Sequence, residues 1–250
     1  MSLPTPYYER NGITIYCGDC RTILPELGGH LETIITDPTW PDAAVKIAGQ
    51  ENPYALFAEM CEVIPADTDR LVVQLGCDSD PRFLQGIPKR WPFLRVCWLD
   101  YARPLYKGRL LYTGDVAYGF GQPPASIEGR HVLPGKYTSW KSDRLFERHT
   151  AGTASRSYVL TGRDEIDHLP HPCPRRLQHV EWLTWVFSDN AVCDPFLGWG
   201  TTAVAAKYLN RKFIGIEIKE EYCELAVKRL AQEVMDFHTL PTLEKELKSE

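Results

Sequence analysis

The sequence lacks any segment that would carry it into or across a membrane. No apolar run approaches the roughly 20 residues needed to span a bilayer, and the first ten residues, MSLPTPYYER, contain no signal-peptide core. An internal repeat and a low-complexity tract are absent as well. These absences predict a soluble, intracellular protein.

Cysteine is present but lacks the pattern of a disulfide framework or a zinc site. Eight cysteines are scattered over 250 residues, which favours reduced thiols. Cys17 and Cys20 have CxxC spacing, but zinc needs four ligands and no second CxxC follows. His168, His171 and Cys173 are distant partners at best, so we expect no metal.

The charge of the chain is unevenly distributed. Residues 81–163 contain 14 Lys and Arg against 5 Asp and Glu, a net charge of +9, whereas the whole chain carries −5 and the remainder therefore −14. A basic insert on an acidic body is typical of a module that contacts phosphates. An ordinary solvated surface is the alternative interpretation.

Apolar strands alternate with helical patterns along most of the chain. This alternation predicts an α/β fold, with a mostly parallel sheet covered by helices on both faces. In such sheets ligands bind beyond the carboxyl ends of the strands, here after Thr36, Cys193 and Ile216. The predicted strands are Ile13–Tyr16, Thr33–Thr36, Leu71–Leu75, Phe93–Leu99, Val116–Phe120, Ala191–Cys193 and Phe213–Ile218. The predicted helices are Tyr54–Val63, Gln178–Phe187, Thr201–Leu209 and Glu220–Val234.

Residues 102–165 fit this alternation poorly. They mix cations with aromatic rings, which suits phosphate contacts and base stacking as well as ordinary loops. The candidates for such contacts are Lys107, Arg109, Lys136, Trp140 and Lys141.

The stretch DPFLGWGTTAVAAKYLNRKFIGIE, from Asp194 to Glu217, has the pattern of a nucleoside-binding unit. Gly198 and Gly200 remove Cβ atoms that would keep a ligand from the backbone. Thr201 or Thr202 can cap the following helix, whose N-terminal amides favour an anion. Glu217 ends the next strand, where a carboxylate can bind the two hydroxyls of a ribose. Taken alone, the stretch also permits a dinucleotide site, with Ala203 in place of a third glycine, or a mere strand–turn–helix connection.

A second stretch, TDPTW at residues 36–40, brings a carboxylate, a restricted backbone carbonyl and a flat ring to the end of a strand. Asp-Pro after a strand is more often a plain turn when it stands alone. The downstream nucleoside-binding pattern favours a reaction centre instead.

Together these motifs resemble the amino-group DNA methyltransferases that use S-adenosylmethionine, in the permuted arrangement called the β class. Asp37-Pro38-Thr39-Trp40 resembles the early catalytic tetrapeptide, and Phe196-Leu197-Gly198-Trp199-Gly200 resembles the late cofactor motif. YCGDC, at 16–20, is similar to the family segment beside the adenine of the cofactor. HPCPRR, at 171–176, is similar to the segment that helps hold its methionine end, with Arg175 in place of a lysine.

The resemblance implies a Rossmann-like methyltransferase fold with a seven-stranded sheet. It implies a catalytic half at 1–101, a basic target-recognition insert at 102–165, a cofactor-binding half at 166–238 and a polar tail at 239–250. The catalytic residues would be Asp37, Pro38 and Trp40, and Trp40 would also stack on the target base. The cofactor residues would be Asp19, Cys20, Asp37, His171, Arg175, Asp194, Phe196, Gly198, Gly200, Thr201, Thr202 and Glu217.

The implied activity is methylation of a flipped base in double-stranded DNA, with adenine N6 favoured because the tetrapeptide begins with Asp37. The implied context is a bacterial, archaeal or phage cytoplasm, with a homodimer and a restriction enzyme as possible partners. Thr39 departs from the second proline of the family. Cytosine-N4 methylation, a catalytically weakened protein that binds cofactor and DNA, a nicotinamide-dependent oxidoreductase and an RNA substrate are the alternatives.

Overall fold

The computed structural model describes residues 3–41, 51–76, 79–107, 109–124 and 175–231. Its strands are β1 Tyr8–Arg10, β2 Ile13–Cys17, β3 Thr33–Thr36, β4 Arg70–Gly76, β5 Phe93–Lys107, β6 Leu110–Gly121, β7 Ala191–Asp194 and β8 Lys212–Glu217. Its helices are α1 Cys20–Ile23, α2 Pro53–Val63, α3 Leu177–Phe187, α4 Thr201–Tyr208 and α5 Glu220–Ala231. Among these described residues, no helix has the length and apolar character needed to cross a bilayer.

The strands form one sheet in the order β1-β2-β8-β7-β3-β4-β6-β5. The five strands from β2 to β4 in this order run parallel, while β1, β6 and β5 pair antiparallel with their neighbours. The carboxyl ends of β8, β7, β3 and β4 therefore follow one another along the same edge. This edge is where the sequence predicts the ligand to bind.

The sheet has eight strands, so the prediction of seven was wrong by the edge strand β1. This strand forms a hairpin with β2 through Asn11 and Gly12, whose φ angles are 51° and 77°. Positive φ at both central residues is the geometry of a type I′ turn, for which Asn-Gly is the preferred pair. The dipeptide was thus a readable signal for the missing strand.

Helices cover both faces of the sheet, as the near-continuous apolar strands predicted. Ile35 and Val72 point into a core that includes residues of α3, α4 and α5, such as Leu183. Their neighbours Ile34 and Leu71 point into a second core, which includes residues of α1 and α2. This alternation follows from the two-residue period of a strand.

The four predicted helices are confirmed, with α5 described as far as Ala231. The four-residue α1 was not predicted because so short a segment shows no periodicity. Asp19 caps it by accepting a hydrogen bond from the Arg21 amide at 2.9 Å.

The first part of the predicted insert belongs to the sheet. β5 continues to Lys107 and β6 begins at Leu110, so the two strands form a long hairpin. Residues 125–174 and 232–250 lie outside the described residues. The division into two core halves, an insert and a tail therefore stays a prediction.

Candidate active site

A cavity of about 340 Å³ opens at the carboxyl edge of the parallel strands. Its walls come from the loops after β2, β3, β7 and β8, so two stretches far apart in sequence meet there. The volume lies within the range of about 300–1,000 Å³ of small-molecule sites. The sequence-predicted residues in its lining are Asp19, Cys20, Asp37, Pro38, Trp40, Arg175, Asp194, Phe196, Gly198, Thr201, Thr202 and Glu217.

The Glu217 carboxylate lies at the β8 end of this cavity and is 8% exposed. Its Oε2 accepts a hydrogen bond from the Gly198 amide at 2.8 Å, and its Oε1 accepts one from the Lys219 amide at 2.9 Å. Burial raises the pKa of Glu217, while these two amides act in the opposite direction. Each oxygen keeps a second lone pair, so the carboxylate can still accept two hydroxyl hydrogens.

The Asp194 carboxylate ties the glycine loop to the end of β3. Its Oδ1 accepts hydrogen bonds from the Thr36 hydroxyl at 2.8 Å and the Phe196 amide at 3.1 Å. Its Oδ2 accepts one from the Thr202 hydroxyl at 2.6 Å. Burial raises the pKa of Asp194 to about 6, against the effect of these donors. The loop that carries Asp37 and the loop that carries Gly198 are thus fixed to each other.

The start of α4 differs from the sequence prediction. Neither Thr201 nor Thr202 caps the helix, because Gly200 is the N-cap residue, in the left-handed conformation with φ 87°. The cavity lining also does not include Gly200, whose Cα faces Ala226 of α5 instead. Gly200 therefore allows α5 to approach the loop closely, which is a packing role.

Trp199 packs against Arg229 of α5. The Arg229 guanidinium lies 3.9 Å from the centre of the indole ring, and it donates hydrogen bonds to the Trp199 carbonyl at 3.1 Å and to Thr201 Oγ1 at 3.2 Å. The indole Nε1 donates to Thr201 Oγ1 at 2.9 Å. Burial lowers the pKa of Arg229 to about 10. These contacts fix the glycine loop to α5.

The segment after β2 forms another wall of the cavity. The Asp19 carboxylate is paired with Arg21, whose Nη2 lies 2.6 Å from Asp19 Oδ2, and the pKa of Asp19 is lowered by this pair. Arg21 also donates to Glu59 of α2 at 2.6 Å. Cys20 is buried, and burial raises the pKa of its thiol to about 12, so it contributes as a neutral group.

Arg175 contacts several residues near the tetrapeptide, away from the Glu217 end of the cavity. It pairs with Asp37 through two hydrogen bonds, from Nε to Oδ2 and from Nη2 to Oδ1, the latter at 2.7 Å. Its Nη1 donates to Asp115 Oδ2 at 3.0 Å, and its guanidinium lies 4.0 Å from the centre of the Trp40 ring. Arg175 therefore contacts the tetrapeptide itself.

The Asp37 carboxyl has a raised pKa. Burial raises the pKa of this carboxyl to about 7, while Arg175 acts in the opposite direction through its charge and its hydrogen bonds. Perturbed carboxyl groups in a cavity are typical of functional sites.

Several predicted residues fall in the part of the chain that the structure does not describe. His171, Lys136, Trp140 and Lys141 lie outside the described residues, and the side chain of Lys107 does too. Arg109 is described and is exposed. Sequence reasoning missed Asp115 and Gln74. Gln74 stands as an isolated polar residue within the apolar run Leu71–Leu75, and that pattern could have indicated it, whereas Asp115 directly precedes the predicted strand Val116–Phe120.

Comparisons with solved structures define the class of the fold. The crystal structure of the M1.HpyAVI–SAM complex aligns with a TM-score of 0.57 at 20% identity, covering 87% of this chain and 99% of that one. PvuII DNA methyltransferase, described as cytosine-N4-specific, aligns with a TM-score of 0.63 at 16% identity, covering 91% and 89%. The fold is thus the Rossmann-like fold of S-adenosylmethionine-dependent methyltransferases.

Sequence comparisons then give the family. A family profile described as DNA methylase, for N6 and N4 enzymes, matches residues 137–228. The type II methyltransferase M.BglII of Bacillus subtilis is 45% identical over 96% of this chain and 75% of its own length. The orphan methyltransferase M.BamHII of Bacillus amyloliquefaciens is 47% identical over 24% of this chain and 23% of its own length. The chain belongs to the amino-group (N6/N4) DNA methyltransferases, which use S-adenosylmethionine.

Proposed function

We propose that this protein methylates the exocyclic amino group of a base flipped out of double-stranded DNA, with adenine N6 as the favoured target. The observation that carries the proposal is the meeting of the tetrapeptide and the glycine loop. Asp37, Pro38 and Trp40 line the same cavity as Gly198 and Glu217. A methyl donor and a methyl acceptor need such a shared space, because most of the acceleration comes from their alignment.

The β8 end of the cavity suits the nucleoside part of S-adenosylmethionine. Glu217 offers two oxygens for the ribose hydroxyls, and the positive φ of Gly198, 54°, turns the loop backbone so that its amide meets Glu217. Asp19 and Cys20 would border the adenine. When bound, the cofactor supplies a methyl group on a sulfonium sulfur. This sulfur is a good leaving group, so the transfer needs no metal.

The tetrapeptide suits the amino group of the base. The lone pair of an exocyclic amine is delocalised into the ring, so the amine is a poor nucleophile. Two acceptors against its two hydrogens favour a pyramidal nitrogen with an available lone pair. The Asp37 carboxylate and the Pro38 carbonyl would be these acceptors, and Trp40 would stack on the ring. Extrusion of the base from the duplex costs a few kcal/mol.

We infer that Arg175 lies where the target base would stack on Trp40. The Arg175 guanidinium is planar, stacks on Trp40 and donates two hydrogen bonds to Asp37. A base with an amino substituent would likewise stack on the ring and donate to the carboxylate. A base that uses this face of Trp40 has to replace the guanidinium. We therefore propose that Arg175 contacts the tetrapeptide before a base binds. After a base has displaced it, Arg175 would make its predicted contact with the methionine end of the cofactor.

The DNA itself would lie over the basic part of the chain. Cations there would contact phosphates, which position the duplex without reading its sequence. Lys107 and Arg109 stand at the tip of the β5–β6 hairpin, and Lys136, Trp140 and Lys141 follow in the rest of the predicted insert. The similarity to type II methyltransferases supports a restriction–modification context, with a restriction enzyme as a partner. Membership of the permuted β class, a homodimeric state and a cytoplasmic location remain predictions.

One experiment tests the activity and the target base together. The full chain is incubated with methyl-labelled S-adenosylmethionine and DNA of mixed origin, and the DNA is digested to nucleosides. We expect the label in N6-methyladenine. Label in N4-methylcytosine would keep the methyltransferase and correct its target. Tight binding of the cofactor without label in any DNA would contradict the proposal.

A further inference from the structure

Gln74 is a buried polar residue whose side-chain amide is not fully paired by the part of the chain that the structure describes. It lies in β4 within the apolar run Leu71–Leu75, and it is 2% exposed. Among the described residues, its Nε2 has no hydrogen-bond partner. A buried N–H group without an acceptor destabilises a fold, and native proteins satisfy nearly all such groups with the chain, water or a ligand. Since no described residue supplies this acceptor, a ligand in the cavity can supply it.

The position of Gln74 shows which ligand can reach it. Its side chain lines the same cavity as Asp37. Thr36 of β3 pairs in register with Val73 of β4, so Asp37 and Gln74 are the next residues of two neighbouring parallel strands. Gln74 is thus close to the tetrapeptide at the carboxyl edge of the sheet.

The strand order separates Gln74 from the cofactor end. Glu217 ends β8, and β7 and β3 lie between β8 and β4. Three strand spacings amount to about 14 Å along the edge. Asp37, at the end of β3, lies between the two residues in this order. A ligand contact of Gln74 therefore belongs to the methyl acceptor rather than to the ribose.

We propose that Gln74 reads the target base by donating its amide N–H to the ring nitrogen beside the reactive amino group. This inference rests on the proposed function. The ring nitrogen is N1 in adenine and N3 in cytosine, and both are hydrogen-bond acceptors. Guanine and thymine carry an N–H at the corresponding position, so they would present a donor to a donor. Gln74 would thereby favour adenine and cytosine over guanine and thymine.

A carboxamide can also present its oxygen after rotation, so the test has to distinguish donor from acceptor. Gln74→Leu removes both groups at similar volume. Gln74→Glu keeps the shape, but at neutral pH an ionised carboxylate only accepts. If Gln74 donates to the base, both variants lose the contact, and Glu loses more because it faces an acceptor.

The decisive experiment compares natural and deaza bases at the methylated position. For an adenine target, 1-deazaadenine lacks the N1 acceptor, while 7-deazaadenine is altered elsewhere and serves as the control. For a cytosine target, 3-deazacytosine is the analogue that lacks the acceptor. We expect wild type to lose about ten-fold or more in kcat/KM on 1-deazaadenine, the size of one lost buried hydrogen bond. Gln74→Leu should lose a similar factor on natural DNA and nothing further on the analogue.

A second measurement is the equilibrium binding of S-adenosylhomocysteine to wild type and to the variant. We expect its Kd to stay within about three-fold in Gln74→Leu, because the contact lies outside the cofactor end. Equal sensitivity of wild type and variant to the analogue, or insensitivity of wild type, would overturn the inference while leaving the methyltransferase intact. A loss of cofactor affinity in the variant would overturn it as well. Wild type that labels no natural DNA would instead reveal a failure of the proposed function.

Discussion

At the scale of single residues, the pair of Asp37 and Arg175 decides how the site works. A carboxylate that accepts hydrogens from an amine has to be ionised, and burial acts against this by raising the pKa of Asp37. Arg175 favours the ionised form through its charge and two hydrogen bonds, and the resulting pKa is about 7. In the proposed mechanism the arginine thus favours the ionised carboxylate until a base replaces it.

This pair predicts the pH dependence of the reaction. Methyl transfer needs the carboxylate, so kcat/KM of wild type should rise as the pH increases through about 7 and then level off. Removing the cation in Arg175→Met removes an influence that lowers the pKa of Asp37, so the midpoint should move upward by about one unit or more. The measurement is the kcat/KM profile from about pH 5.5 to 9.

Arg175→Lys is the matched control, because it keeps the positive charge but not the two parallel hydrogen bonds. Its midpoint should lie much closer to that of wild type than the midpoint of Arg175→Met does. An unchanged midpoint in Arg175→Met would show that Arg175 does not set the protonation of Asp37.

The site residues that could be read from the sequence are those that carry a local signal. Asp37 and Glu217 each end an apolar strand, and Gly198 stands in a recognisable loop. Gln74 reaches the cavity through the pairing of β4 with β3, and Asp115 reaches Arg175 through the pairing of β6 with β4. Such long-range placement is fixed by the sheet order, which the sequence does not state.

At the scale of secondary-structure elements, the junction of β7 and α4 positions the glycine loop at the β8 end of the cavity, where we propose that the cofactor binds. The strand, the glycine loop and the helix were predicted with nearly the observed bounds, since each has a strong local pattern. The cap was predicted wrongly, because the hydroxyl group of each threonine has a competing partner in the folded chain. Thr202 donates to Asp194, and Thr201 accepts from Arg229.

Gly200 offers a test of this junction. A Cβ atom at Gly200 would lie 2.7 Å from the Cβ of Ala226, at a φ of 87° that residues other than glycine rarely adopt. We expect Gly200→Ala to lower the free energy of unfolding by about 2–4 kcal/mol, measured by chemical denaturation.

The control for this substitution is Gly28→Ala. A Cβ atom at Gly28 would meet nothing within 4 Å. Its effect on the free energy of unfolding should therefore be smaller than about 1 kcal/mol in either direction. Equal effects of the two substitutions would mean that α5 does not pack against the glycine loop as described.

At the scale of the whole molecule, the sheet brings the two halves of the reaction together. The order β8-β7-β3-β4 places the end of β8, with Glu217, and the end of β3, with Asp37, on one edge although 180 residues separate them in sequence. The fold class followed from the alternation of strands and helices. The relative position of the motifs did not follow from the alternation and was an expectation from the family resemblance.

The central claim is that Asp37 serves the chemistry while Glu217 serves the cofactor within one cavity. The most direct measurement is the single-turnover rate of methyl transfer in Asp37→Asn and Glu217→Gln, at saturating DNA and S-adenosylmethionine. We expect Asp37→Asn to fall by about 100-fold or more with its cofactor affinity kept. Glu217→Gln should bind cofactor about ten-fold or more weakly. At saturation, however, it should transfer methyl groups at nearly the wild-type rate. A wild-type rate in Asp37→Asn would contradict the account.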